Sequence, residues 1–385
     1  MEGEHFLALD FGSGQIATTL AIYDERTNTC RVRYSTRVQC PSVSACYILD
    51  FNRTINTLAH LLEDVGQYTD EVPTVVVGLR GDFLSFRRAG GFLSITRDNH
   101  VITERDVRAV LDSSIPPNLG DTLEVVDLLP QCFTIDGKTG LQNPIGLTAR
   151  CLEAETFVSA GPKTHLQNIN RVLEAVGYEE FEAVPTILAL CDTLLKPEEK
   201  KTGVLLLDIG QQNCSAALYH KGMLEAAWEN PIGADMIAQE VADMLQNELK
   251  DAQKVLQEYT YGDDEIMDDM LDEAAEKLLR ALHKEWVQTL SYVKYPPAQL
   301  VLTGGGASTA IKNAAKRVLG VRRTRTATHD HLSADTTEDL AASYTSALSL
   351  ALYSQRHGGH TRQSTAPERG IQGFFNKMLA KIGLN

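Results

Sequence analysis

Asp10 and Asp208 each close an apolar run and are each followed by a hydrophobe and a glycine, in "LALDFGSGQI" (7–16) and "LLLDIGQQNC" (205–214). Glycine lets a backbone N–H come close to a phosphate because it has no side chain and accepts positive φ. An aspartate at the strand end holds Mg²⁺ through water, or orients a water, while the turn binds the phosphate oxygens. The first candidate half-site is therefore Asp10, Gly12, Ser13, Gly14 and Gln15, and the second is Asp208, Gly210, Gln211, Gln212 and Asn213. A third strand-end turn, "TGGG" (303–306), presents Gly304, Gly305 and Gly306 before a helix, where a flat base and its ribose can lie against backbone. Two half-sites and one nucleotide explain why the motif is written twice. No nucleophile or metal-ligand constellation elsewhere points to another enzyme.

The elements that must carry these turns follow from periodicity. Phe6–Leu9 is a strand, "IATTLAIYDE" a second strand leaving the turn, 52–65 a helix and "TVVVGLRG" (74–81) a buried strand. Residues 83–165 have different grammar: "FLSFRRAGGFLSI" alternates like a hairpin, Thr103 caps the helix of "ITERDVRAVLDSS", and short strands follow around "LEVVDLLPQCFTIDG". Helices are expected from His165 to Val176 and from Pro185 to Leu195, with a strand at "FEAV" between them. After the second copy come a hairpin and helix, two acidic helical stretches up to Tyr292, then the strand before "TGGG" and its helix. The implied division is 1–82 and 166–200 as one domain, 83–165 as an α+β insert, and 201–355 as a second domain with a helical part at about 245–295. Residues 356–370 read as a polar linker and 371–385 as a terminal helix.

Bulk properties narrow the function. The 385 residues carry 36 basic and 51 acidic side chains, a formal charge of −15, with no concentrated basic surface, which argues against nucleic acid as a partner. Seven scattered cysteines without CxxC or Cys/His spacing read as reduced core thiols of a cytosolic protein. No apolar run reaches the roughly 18 to 20 residues of a membrane span, and no basic leader precedes the first strand, so the expectation is a protein that neither spans a membrane nor is secreted.

The order of the three turns resembles the phosphate 1, phosphate 2 and adenosine motifs of the actin-like ATPase superfamily. Within it, "ITERDVRAVLDSS", "LLPQCFTIDGKTGLQNPIGLTARCLEAETFVSAG", "NINRVLEAVGY" and "LLKPEEKKTGVLLLDIG" resemble the bacterial cell-division protein family FtsA. The resemblance implies an actin-like, ribonuclease H-like two-domain fold with an FtsA-type inserted subdomain, ATP with Mg²⁺ as cofactors, and turnover that is slow or absent. It adds Gly233 and Lys254 to the expected nucleotide set. It further implies self-assembly into filaments, the C-terminal peptide of FtsZ and downstream division proteins as partners, and a place on the cytoplasmic face of the cell membrane at the division septum. Type IV pilus proteins of the PilM kind share the architecture and are the nearest competitor. A sugar-kinase-like phosphotransferase is the rival from another class, and it lacks a catalytic acid here.

The tail fits the same picture. Ile371, Phe374, Phe375, Met378, Leu379 and Ile382 recur at helical spacing on one face, with Lys377 and Lys381 off it, as in a helix that lies in an anionic lipid surface. Each lysine contributes roughly 1 kcal/mol there, so one copy binds marginally and assembly multiplies the effect.

Departures from the family pattern cluster at the ligand. Gly14 and Gln15 stand where a polar residue and a lysine are usual, and Gln211, Gln212, Asn213, Cys214 and Ser215 replace a glycine-rich turn with threonines and an acid. The "AQKVL" helix puts Gln253 and Leu256 where an acid and a lysine are usual for ribose and adenine, with Lys254 as the available substitute. Only about 40 residues separate Gly262 from Gly304, fewer than a partner-binding subdomain with its own strands needs. Asp192, on the helix after Pro185, is a candidate for aligning a water, against the plainer reading of a polar helix position.

Overall fold

A computed structural model describes residues 4–24, 29–290, 297–329 and 344–357. The chain opens with β1 (Glu4–Phe11), β2 (Gln15–Asp24) and β3 (Thr29–Gln39), then short β4 (Val43–Ser44) and β5 (Tyr47–Ile48), α1 (Phe51–Val65) and β6 (Thr74–Leu79). The insert holds β7 (Ser85–Ser94), α2 (Glu104–Asp112), β8 (Leu123–Ile135), β9 (Lys138–Leu141) and β10 (Cys151–Pro162). The first lobe resumes with α3 (Lys163–Ala175), β11 (Glu182–Pro185), α4 (Thr186–Leu194) and α5 (Pro197–Thr202). The second lobe is β12 (Val204–Ile209), β13 (Cys214–His220), β14 (Met223–Asn230), α6 (Ala234–Leu245), α7 (Leu249–Glu258), α8 (Glu265–Leu290), β15 (Gln299–Thr303), α9 (Thr309–Val318) and β16 (Arg323–Thr326), and α10 (Thr345–His357) follows.

The sequence duplication is a duplication of sheets. The first runs β11-β6-β1-β2-β3 and the second β16-β15-β12-β13-β14, the same order with the same directions: three antiparallel strands continued by two parallel ones. The central strands β1 and β12 are buried nearly throughout, which is why each reads as a continuous apolar run rather than an alternation. Asp10 stands in register between Ala17 and Gly78, and Asp208 between Ser215 and Thr303, so the two aspartates occupy equivalent points of equivalent sheets. This is an actin-like architecture with an inserted α+β unit.

The lobes meet on α4. Every residue of "TILALCDTL" except Asp192 is buried, as a helix without a polar face must be. Ile187, Leu190 and Cys191 pack with Val204, Leu206 and Val301 of the second lobe, while Ala189 joins Phe6, Ala8 and Val76 of the first. Asp192 sits at the rim of this joint in ion pairs with Arg356 Nη1 (3.1 Å) and His357 Nε2 (3.2 Å). Burial works against its ionisation, but the contacts with His357, Lys200 and Arg356 hold the carboxyl well below the usual range. It fastens a helix end and is not among the residues lining the cleft described below.

Three expectations change. "FLSFRRAGGFLSI" is one ten-residue strand, β7, with no hairpin. "LEVVDLLPQCFTI" is one thirteen-residue strand rather than several. The helix 345–357, whose residues up to 355 the sequence assigns to the second domain, packs Ala347, Leu348, Leu350 and Ala351 on Phe6, Ala8 and Val76 of the first lobe, because its apolar residues cover the same face of that sheet as Ala189 of α4. Between Gly233 and Gln299 the described residues form helices only. The linker beyond His357 and the helix expected at 371–385, with Ile371, Phe374, Phe375, Lys377, Met378, Leu379, Lys381 and Ile382, lie outside the described residues. Among the described residues no helix is long and apolar enough to cross a membrane.

Candidate nucleotide cleft

The three glycine turns converge. Between the lobes lies a cleft of about 860 Å³, lined by Asp10, Gly12, Ser13 and Gln15 from the first turn, by Asp208, Gly210, Gln211 and Asn213 from the second, and by Gly304, Gly305 and Gly306 from the third. Its size suits a nucleotide. Gln253, Leu256 and Gln257 of α7 close the end near the third turn. Lys254, on the same helix, is not among the lining residues, because Gln253 and Leu256 take the inward positions and Gln253 Nε2 donates to Asp235 Oδ1 at 2.9 Å. Gly14, Gln212 and Gly233 are also outside the lining. Gln212 Oε1 instead accepts from Ser44 Oγ across the lobes (3.2 Å). Gly233 lies under the second turn, where a Cβ would come within 2.6 Å of the Gly210 and Gln211 carbonyl oxygens.

The amides do not serve as the sequence implies. Gly12 N–H donates to Gln15 O and Gly210 N–H to Asn213 O, each at 2.9 Å, so both turns are built by the same internal bond. Gly14 N–H goes to Val43 O and Gly306 N–H to Ile209 O. Among the described residues no backbone carbonyl takes the amides of Ser13, Gln211 or Gly305, and these three line the cleft. Gly12, Gly14, Gly210 and Gly306 shape the turns, while Ser13, Gln211 and Gly305 beside them present the donors. Ser13 Oγ and Asn213 Nδ2 are likewise buried polar atoms without a partner, which a ligand oxygen would satisfy.

Sequence reasoning missed the residue at the centre. Arg80, 6% exposed, follows β6 and places its guanidinium between the duplicated aspartates: Nη2 donates to Asp10 Oδ2 at 3.0 Å and Nη1 to Asp208 Oδ2 at 3.4 Å. Nη2 also donates to Ser346 Oγ of α10 at 3.1 Å. Both carboxylates are buried, and such a pair persists only with a counter-charge between them. Burial lifts the Asp208 carboxyl above its ordinary range, against the opposing pull of Arg80. The available signal was Arg80 itself: a lone arginine directly after an otherwise apolar, buried strand must find an acid.

The geometry bears on direct coordination of a divalent ion by the two aspartates. Mg²⁺ demands a nearly regular octahedron of oxygens at about 2.0–2.1 Å. Here the Oδ2 atoms of Asp10 and Asp208 are both committed to Arg80, and a dication placed between them would meet a fixed guanidinium. Among the described residues no group of three or more His, Cys, Asp or Glu side chains forms a metal site. The residues present do not fit a divalent ion bridging the two aspartates.

Glu229 of β14 supports Arg80's loop from the other lobe. Its Oε2 accepts from Gly81 N–H (3.0 Å) and Ser215 Oγ (2.8 Å). Burial pushes its pKa up to about 8, although those bonds and Arg80 favour the anion. Between 4.5 and 8 the folded chain therefore holds a proton that the unfolded chain releases, so stability falls as pH rises. His165, pushed down to about 4 from 6.5 by burial, works in the opposite sense below 6.5. The Glu229 effect stands clear above that, where it is expected to remove on the order of 2 kcal/mol by pH 8. Thermal denaturation of Glu229→Gln, compared with the parent at pH 6.5 and 8, should lose most of this slope; an unchanged slope would place the ionisation elsewhere.

A family model described as the SHS2 domain inserted in FTSA matches residues 84–159, the insert. The chain is 26% identical to cell division protein FtsA of Enterococcus hirae over 67% of its own length and 58% of that protein's. It is 24% identical to FtsA of Enterococcus faecalis over 79% and 74% of the two chains, and 23% identical to FtsA of Bacillus subtilis over 70% and 61%. The chain thus spans less than two thirds of the E. hirae and B. subtilis relatives. Among solved structures, the PilM-PilN type IV pilus biogenesis complex aligns with TM-score 0.59 and 16% identity, covering 90% of this chain and 97% of that one. The ethanolamine utilization protein EutJ of Carboxydothermus hydrogenoformans aligns with TM-score 0.51 and 12% identity, covering 91% of each.

Proposed function

We propose that this chain, a divergent relative of the FtsA cell-division proteins with an actin-like fold, is a scaffold of bacterial division that binds ATP between its lobes. The observation that carries the reading is the convergence of duplicated strand-end turns and a third glycine turn on one cleft, with Ser13, Gln211 and Gly305 amides presented to it. Phosphates lie against the first two turns, and the base and ribose lie between Gly304–Gly306 and the Gln253, Leu256 and Gln257 face of α7. Bound nucleotide braces the two lobes and favours self-assembly into filaments. Hydrolysis is weak or absent: Asp192 is tied up at the joint. The filaments sit on the cytoplasmic face of the cell membrane at the septum, held on anionic lipid by residues 371–385. They tether FtsZ through its C-terminal peptide and reach downstream division proteins through the insert.

Gly305→Val tests the cleft. A Cβ at Gly305 has nothing within 4 Å, so the added side chain projects into the cleft without disturbing the protein. Stability should change by no more than about 0.5 kcal/mol, while affinity for a fluorescent ATP analogue falls by about tenfold or more. Equal affinity for parent and variant would remove the nucleotide from this cleft. Co-sedimentation with anionic liposomes, with and without residues 371–385, tests the membrane foot. Retention on an immobilised FtsZ C-terminal peptide separates a division scaffold from a PilM-like pilus adaptor, whose likeness here is one of fold.

A further inference from the structure

Arg80 does what a bound metal does in a cleft of this kind: it places positive charge between two carboxylates, one from each lobe. We infer that Arg80 is the resident cation of the cleft and that its ligand, a nucleoside di- or triphosphate, is taken up as the free anion, without a divalent ion. The inference rests on the nucleotide reading above and specifies how that site works. Three observations carry it. The guanidinium reaches Asp10 and Asp208 with two separate nitrogens, a fork that an ammonium cannot form. It is fixed from outside the pair by Ser346, and its loop is fixed by the bond from Gly81 N–H to Glu229, so it is anchored and cannot swing aside to admit a metal. It is also one of the residues lining the cleft, and so faces the bound ligand. The lysine absent from the first turn, where Gln15 stands, is thus offset by a cation arriving from the end of β6.

The chemistry follows from charge. In a metal-dependent cleft two carboxylates orient the waters of a hydrated dication, and removing the metal leaves them repelling the phosphate. Here Arg80 supplies a permanent positive charge that offsets one of the two carboxylates, so chelation has no cation to remove.

Equilibrium binding of a fluorescent ATP analogue to the full chain, in excess EDTA and in excess MgCl₂, tests this directly. The expected result is affinities equal within about twofold. Binding that is about tenfold or more tighter with Mg²⁺ would leave the nucleotide reading intact and overturn this inference. Absence of binding in both buffers would remove the nucleotide reading and the inference together. The Arg80→Met variant supplies the converse: with both carboxylates released, nucleotide binding should become Mg²⁺-dependent, and Mn²⁺, followed through water proton relaxation with nucleotide present, should bind the variant and not the parent. Mn²⁺ bound equally by both chains counts against Arg80 as its replacement. Should Arg80→Met fail to fold, the parent comparison in the two buffers still decides.

Discussion

Gly304→Ala is expected to destabilise the chain by roughly 3 to 5 kcal/mol and to lower its melting temperature by about 5 °C, with loss of nucleotide binding as a consequence. Gly304 has φ +85°, a region an alanine enters only at a cost of about 1–2 kcal/mol. A Cβ there would also stand 2.4 Å from Asp208 Oδ1 and 2.4 Å from Ile209 O, one a buried carboxylate and the other backbone of a central strand. Neither can give way cheaply. Asp208 is held by Arg80, and Ile209 O already accepts from Gly306 N–H at 2.9 Å. The change therefore strains the charge cluster and the turn together. Its contrast with Gly305→Val is diagnostic: adjacent glycines, one serving the fold and one serving the ligand. Differential scanning calorimetry of Gly304→Ala and Gly305→Val separates them, and equal melting temperatures would contradict the packing at Gly304.

Much of the site was legible because strand ends and glycine turns are local signals. A buried strand, an acid, a hydrophobe and a glycine identify the half-site whatever surrounds them, and Asp10, Gly12, Ser13, Gln15, Asp208, Gly210, Gln211, Asn213, Gly304, Gly305 and Gly306, eleven of the fifteen nucleotide residues expected, needed no long-range information beyond strand order. All eleven line one cleft. Arg80 and Glu229 were not legible for the opposite reason. Arg80 directly follows an apolar strand and Glu229 lies near the end of β14, and what each does depends on the other lobe, 128 residues away for the Arg80–Asp208 contact. The use of amides was hidden too, since composition cannot say whether a glycine N–H closes its own turn or faces a ligand. Gln212 shows the same limit: beside Gln211 in sequence, it leaves the cleft for Ser44 in the other lobe.

The misread hairpin leads to the second large effect. In "FRRAGGFLS" the glycine pair looks like a turn, yet Gly90 and Gly91 continue β7 opposite Glu155 and Ala154 of β10. The glycine serves a close approach instead. A Cβ at Gly91 would fall 1.9 Å from Val110 O and 2.7 Å from Ser113 Oγ, because the last turn of α2 lies directly on the strand. Ser113 Oγ secures the contact by accepting from Phe92 N–H at 3.1 Å. Gly91→Ala must lift the end of α2 from the sheet and loosen Val107, Val110 and Leu111, which are buried with Phe133 and Val158 in the insert core. Overpacking against backbone and the partial exposure of these side chains together are expected to cost about 3 kcal/mol or more, confined to the insert. The cleft lies in the two lobes, so nucleotide affinity should hold while amide hydrogen exchange in residues 104–112 and 123–135 accelerates by about 100-fold or more. Should exchange quicken equally across β12 and β15, the insert and the second lobe would be one cooperative unit, coupled through Arg88 Nη1–Glu225 Oε2 (2.5 Å) and Leu224 N–H to Gln131 Oε1 (2.7 Å). The insert would then report to the nucleotide cleft rather than ride beside it.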